Sequence, residues 1–90
     1  MDSVPGTLAA LRAEIATSVR MIRKKGGMSQ AALGAIFGWS QSTIAEIESG
    51  RRRLELAEFI VMAQVLKLSA CEELSSLLAR LYGDDFKTHS

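Results

Sequence analysis

Residues 29–50 read SQAALGAIFGWSQSTIAEIESG, and the punctuation of this stretch decides the fold. Ser29 and Ser40 each stand where a helix cap is needed, since a serine hydroxyl can accept from an amide of the first turn. After Ser29, Leu33, Ile36 and Phe37 recur at helical spacing until Gly38 stops the run. After Ser40, Ile44 and Ile47 mark the inward edge of a second short helix, ended by Ser49 and Gly50. Gly38 permits the turn between the two, and Ala31 and Gly34 are small enough to let them approach. Two short helices joined in this way form a helix-turn-helix, whose second helix can lie in a major groove.

The flanking sequence continues the helical period. Upstream, Leu8, Leu11, Ile15, Val19 and Ile22 form one stripe of a first helix, capped by Ser3 or Thr7 and ended by KKGG at 24–27. Downstream, a fourth helix is predicted from about Leu54 to Lys67, with Leu56, Phe59, Ile60, Ala63 and Leu66 on its packed face. A fifth opens at SACE, where Ser69 and Glu72 have capping-box spacing, and runs to about Tyr82 before Gly83. No segment alternates as a strand does, and no repeat or linker divides the chain. The expectation is an all-α fold of five helices in a single domain over residues 1–90. Its core spans 19–78, with a helical N-terminal extension over 7–18 and a frayed tail over 84–90.

Composition narrows the function classes. Ninety residues, 48% of them hydrophobic, can bury one modest core, which argues against disorder. Cys71 is the only cysteine, so no intramolecular disulfide and no zinc cluster is expected, and a reducing cytoplasm is the natural setting. The first residues lack a basic n-region and reach Arg12 and Glu14 too early for a signal peptide. The apolar run FIVMA at 59–63 is far too short to span a bilayer. The only histidine, His89, lies in the tail, and no nucleophile–base–acid constellation is visible, so neither an enzyme nor a cofactor is expected. A net charge of +1 conceals an asymmetry: eight basic residues against three acidic ones from Arg12 to Arg53, then three bases against six acids from Leu54 onward. One face for a polyanion and another for something else would account for it.

The stretch IRKKGGMSQAALGAIFGWSQSTIAEIESGRRRLELAEFIVMAQVLKLSACEEL, Ile22 to Leu74, resembles the phage-repressor and Cro-like, or XRE-type, helix-turn-helix regulators. Gln30 after Ser29, Gly38 in the turn, STIAEIESG at 42–50 and an apolar fourth helix all follow the family's order. The resemblance implies a lambda-repressor-like domain that binds double-stranded DNA sequence-specifically. It implies base contacts from Gln41, Ser42 and Glu46, positions that helical spacing also turns outward while Ile44 and Ile47 turn in. Gln can pair with adenine N6 and N7, and Ser can donate or accept. Glu46 either accepts from cytosine N4 or is a solvated carboxylate that tolerates the groove. Gln30 matches the family's phosphate-contacting glutamine. Ser29, Ser40 and Thr43 join it as expected backbone contacts at the ends of elements, with two of the three arginines Arg51, Arg52 and Arg53 beyond the recognition helix. The resemblance also pairs Glu48 with Arg23 of the first helix as a structural ion pair. Lys24 and Lys25 are weaker phosphate candidates. Trp39 departs from the family, which usually places a smaller aliphatic there. It either covers the core edge or reaches the sugar-phosphate backbone.

Apolar residues in the C-terminal half exceed what so small a core needs. Val61, Met62, Val65, Leu74, Leu77, Leu78, Leu81 and Tyr82 are therefore expected to form an exposed patch used for homodimerisation, unless the first helix folds back over it or its extension, Leu8 to Ile15, joins the interface. Two-fold symmetry would set two recognition helices about 34 Å apart on a pseudo-palindromic operator. The leading reading is a repressor of the phage or restriction-modification control type. The alternative is an antitoxin-type interaction module, whose apolar surface neutralises a partner protein while its DNA binding autoregulates an operon.

Overall fold

A computed structural model describes residues 3–83 as five helices: α1 (Ser3–Lys25), α2 (Gln30–Phe37), α3 (Gln41–Glu48), α4 (Leu56–Val65) and α5 (Ala70–Tyr82). The tail over 84–90 lies outside the described residues. Helix α1 already includes Ser3, so Thr7 lies within it rather than capping it. Pro5 is tolerated there because an amide in the first turn has no intrahelical partner to lose. At the other end Gly27 takes φ +75°, and the amide of Met28 bonds back to the Arg23 carbonyl, which closes the helix as the KKGG signal predicts.

The core is built by every helix. Val19 and Ile22 of α1, Leu33 of α2, Ile44 and Ile47 of α3, and Phe59 and Met62 of α4 are buried together with Leu66. Leu74 of α5 packs against this cluster from its edge. Each buried large aliphatic side chain stabilises the fold by about 1.5–3 kcal/mol, so these residues outweigh the charged contacts in holding the helices together. Polar clamps then set how α5 lies on α1. Lys25 Nζ is 2.8 Å from Glu73 Oε2, and Arg80 Nε is 2.6 Å from Glu14 Oε1, while Arg80 Nη2 also donates to Ser18 Oγ. Lys25, considered above for phosphate, is therefore engaged with Glu73.

Helix α4 differs from its expected form. It begins at Leu56, because Glu58 Oε1 accepts from the Glu55 amide at 2.9 Å and makes Glu55 the cap. It ends at Val65, because Lys67 adopts φ +61° and its amide turns back to the Gln64 carbonyl. Leu54 stays outside the helix and packs against the core. The chain thus enters α4 rotated, and the buried face becomes Phe59, Met62, Ala63 and Leu66 at i, i+3, i+4 and i+7. Leu56 and Ile60, expected inside, are 64% and 37% exposed. Met62, expected on the outer patch, is fully buried, and Leu77 is buried too. Neither can belong to a dimer surface. Val61 and Tyr82 are exposed, whereas Val65, Leu74, Leu78 and Leu81 are partly covered.

Among the described residues, no helix is long and apolar enough to cross a membrane.

Candidate nucleic-acid interface

Each helix of the α2–α3 pair is capped as its serine suggested. Ser29 Oγ accepts from the Ala32 amide at 3.0 Å, and Ser40 Oγ accepts from the Thr43 amide at 3.3 Å. Between them Gly38 occupies the left-handed region at φ +73°, and its amide returns to the carbonyls of Gly34 and Ala35. The close approach rests on Gly34: a Cβ there would sit 2.8 Å from the Trp39 carbonyl oxygen and 3.0 Å from that of Ser40. Both obstacles are backbone, so they cannot swing aside. Ala31, the other small residue, is exposed and does not serve the contact.

Ile44 and Ile47 are buried and seat α3 on the core, leaving Gln41, Ser42 and Glu46 exposed along its outer side. Glu48, at the end of α3, turns the other way. Arg23 Nε donates to its Oε2 at 2.6 Å and Nη2 to its Oε1 at 3.1 Å, a bidentate pair whose side chains are only 10% and 5% exposed. Arg23 Nη1 spends its bond on the Met28 carbonyl at 2.9 Å, so the guanidinium is held at three points. The hydrogen bonds and charge of Glu48 hold Arg23 above its ordinary proton affinity, against the opposing effect of burial.

Glu48 also reaches toward the exposed side. Gln30 Nε2 donates to Glu48 Oε1 at 3.0 Å, and Gln41 Nε2 donates in turn to Gln30 Oε1. A line of side chains thus runs from α1 through Arg23, Glu48 and Gln30 to Gln41, the first residue of α3. It holds Gln41 from one side and leaves its own amide oxygen and second N–H available. The resemblance supplied the Arg23–Glu48 pair; the two glutamine links had no periodic signal in the sequence, being eleven and eighteen residues apart.

Ser29 and Ser40 are exposed beside the first-turn amides of α2 and α3, Gln30 and Thr43 are partly covered, and Thr43 Oγ1 lies 3.2 Å from Ser40 Oγ. Beyond α3, Gly50 at φ +82° reverses the chain, and the amides of Arg51 and Arg52 both return to the Glu46 carbonyl. This turn fixes the three arginines next to the negative end of the α3 dipole. They are not equivalent. Arg51 and Arg53 are exposed, whereas Arg52 is partly buried, with its guanidinium carbon 4.5 Å from the centre of the Trp39 ring. Trp39 in turn stacks on Phe37, ring centres 4.6 Å apart and planes 16° from parallel, and packs against the core. Arg52 Nη1 is buried without an acceptor among the described residues. The unusual tryptophan is therefore a platform for one arginine of the three, so Arg52 is a poor candidate for the free backbone contact first assigned to it.

Backbone amides at helix N-termini, a seated helix with polar side chains outward and two exposed arginines at its far end make a surface suited to a nucleic-acid backbone and base edges. Among curated proteins, none matches the chain. A family model described as helix-turn-helix does match, over residues 19–72, which is more than half the chain and includes all of α2, α3 and α4. The chain belongs to the XRE-type, Cro- and C1-like helix-turn-helix family of DNA-binding transcription regulators.

Proposed function

We propose that the protein is a transcriptional repressor that binds a pseudo-palindromic operator as a homodimer. The observation that carries this reading is the supported recognition helix: its outward residues are exposed, while its inner end is tied to α1 by the buried Arg23–Glu48 pair. Gln41, Ser42 and Glu46 read base edges. Gln41 takes adenine, because its free amide oxygen and N–H match adenine N6 and N7. Ser29, Gln30, Ser40 and Thr43 fix the register on one phosphate strand, and Arg51 and Arg53 hold the backbone beyond the helix. Glu46 accepts from cytosine N4, which offsets its repulsion from phosphate.

Dimerisation uses the exposed side of α4 and the end of α5. Val61 and Tyr82 are 41% and 46% exposed, Ile60 adds 37%, and Val65 and Leu81 lie at their margin. Exposed apolar side chains on these two helices favour self-association. Selection of bound sites from random duplex DNA, followed by sedimentation of the complex, tests both parts. Inverted half-sites bound by two chains are the expected result. An asymmetric single site bound by one chain would remove the dimer, and recovery of no preferred sequence would remove base reading.

A further inference from the structure

The N-terminal half of α1 is not used by the DNA-facing surface, yet it frames two cavities. One, of about 520 Å³, has an apolar floor of Leu8, Leu11, Ile15, Ala16, Ile47 and Leu54, and a rim of Arg12, Arg51, Arg52 and Arg53. Among the described residues, no acidic one lines it. The other, of about 270 Å³, shares Leu11, Ile15 and Leu54 with the first and continues past Phe59, Leu74 and Leu78 toward α5. Among the described residues, its only charged lining residue is Glu55. The three shared residues place them side by side along α1, the basic one bordered by α3 and the apolar one by α5, and we read the two as one trough.

DNA would use the guanidiniums but has no use for the floor. An apolar protein surface would use the floor but not four like charges in a row. Guanidinium forks match carboxylate and phosphate oxygens, and they stay charged at any physiological pH. A ligand that satisfies both ends carries a single anionic head and an unbranched apolar body. The volume of the first falls in the range of small-molecule sites, and such sites pair an apolar lining with few convergent polar groups. We propose that this trough binds a small amphipathic anion of the medium-chain carboxylate class, head among Arg12, Arg51, Arg52 and Arg53 and chain along α1 toward α5.

The site has a regulatory consequence, which rests on the proposed role of Arg51 and Arg53 in holding the DNA backbone. An anion bound between them and Arg12 withdraws two phosphate contacts, so the ligand releases the protein from DNA. Arg12 shares the rim with Arg51 and Arg53 but is not itself among the proposed DNA contacts, so its replacement separates the two effects.

The test is calorimetric titration of the full chain, without DNA, with decanoate below its micelle concentration. One decanoate per chain is expected, with a dissociation constant on the order of 10–100 μM. Butyrate, decanol and decyltrimethylammonium should each bind at least about tenfold more weakly, since each lacks either the chain or the negative head. Arg12→Gln should weaken decanoate about tenfold, and Leu8→Ser, at a half-exposed position where folding is not at stake, about threefold to fivefold. In a second arm, decanoate should weaken binding to duplex DNA by the unaltered protein and not by Arg12→Gln. Absence of saturable binding, equal binding of the cationic analogue, or indifference to both substitutions would overturn the site. If decanoate binds as expected but DNA affinity does not respond, the site stands and the coupling through Arg51 and Arg53 is wrong. If the protein fails to bind DNA at all, the functional reading fails while the titration without DNA still decides the site.

Discussion

Replacing Glu48 with alanine tests the link between the core and the recognition surface. The substitution strips Arg23 of two of its three hydrogen bonds and leaves a guanidinium whose side chain is 10% exposed without a counter-charge. Breaking a buried pair from one side costs about 3–5 kcal/mol, against about 0–1 kcal/mol for a surface pair. Residual access to water and the surviving bond to the Met28 carbonyl place this case near the lower end, at about 3 kcal/mol. For a chain of 90 residues that corresponds to a fall in melting temperature on the order of 12–24 °C. Urea unfolding followed by far-ultraviolet circular dichroism, at fixed protein concentration, measures it. The double variant Arg23→Met, Glu48→Leu should be less damaged than either single variant, because it leaves no orphaned charge. A loss under about 1 kcal/mol for Glu48→Ala, or singles that simply add to the double, would refute the buried brace. A separate readout addresses the chain of glutamines. Glu48→Ala frees Gln30 and so loosens Gln41, and discrimination at the base facing Gln41 should fall. Glu48→Gln keeps an acceptor for Gln30 and should restore that discrimination without restoring full stability.

Other substitutions separate the remaining roles. Gln41→Ala should cost about 1–3 kcal/mol on the selected operator and relax one base position, and an equal loss on random DNA would exclude base reading. Arg53→Ala should reduce the slope of log affinity against log salt by about one, whereas Arg52→Ala should leave the slope unchanged and cost about 0.5–2 kcal/mol of stability through the Trp39 stack; the reverse pattern would exchange their roles. Gly34→Ala should destabilise by about 1–3 kcal/mol, because its Cβ meets two backbone carbonyls, and an unchanged unfolding midpoint would show that α2 and α3 can part without cost. Val61→Asp should shift sedimentation from dimer to monomer with little loss of monomer stability, and an unaltered mass would move the dimer surface elsewhere.

The element pattern was legible because it is local. Serine caps, the left-handed Gly38 and the spacing of Ile44 and Ile47 are decided within a few residues, and the α2–α3 pair follows from them. The rotation of α4 was not local. It depends on Leu54 entering the core before the helix starts, which moved Leu56 and Ile60 outward and Met62 inward. Composition identified an excess of apolar side chains but could not say which ones α1 would cover, so Leu77 was misplaced. Among the arginines, sequence offered three equal cations. Only the folded turn after Gly50 brings Arg52 over a tryptophan thirteen positions earlier and leaves its neighbours exposed. The trough along α1 belongs to the same class, since it joins residues from α1, α3 and the loop before α4.

The contact between Gln30 and Gln41 has a bearing on how such a protein changes its target. The residue proposed to read a base is held by one on the preceding helix, and that one is held by Glu48. Position 41 is therefore not an independent letter. A substitution there with a different length or polarity strands Gln30, and through it a bond of the core. New specificities are expected to arise by paired exchange at 30 and 41, and a library that varies α3 alone would sample mostly variants whose reading residue has lost its support.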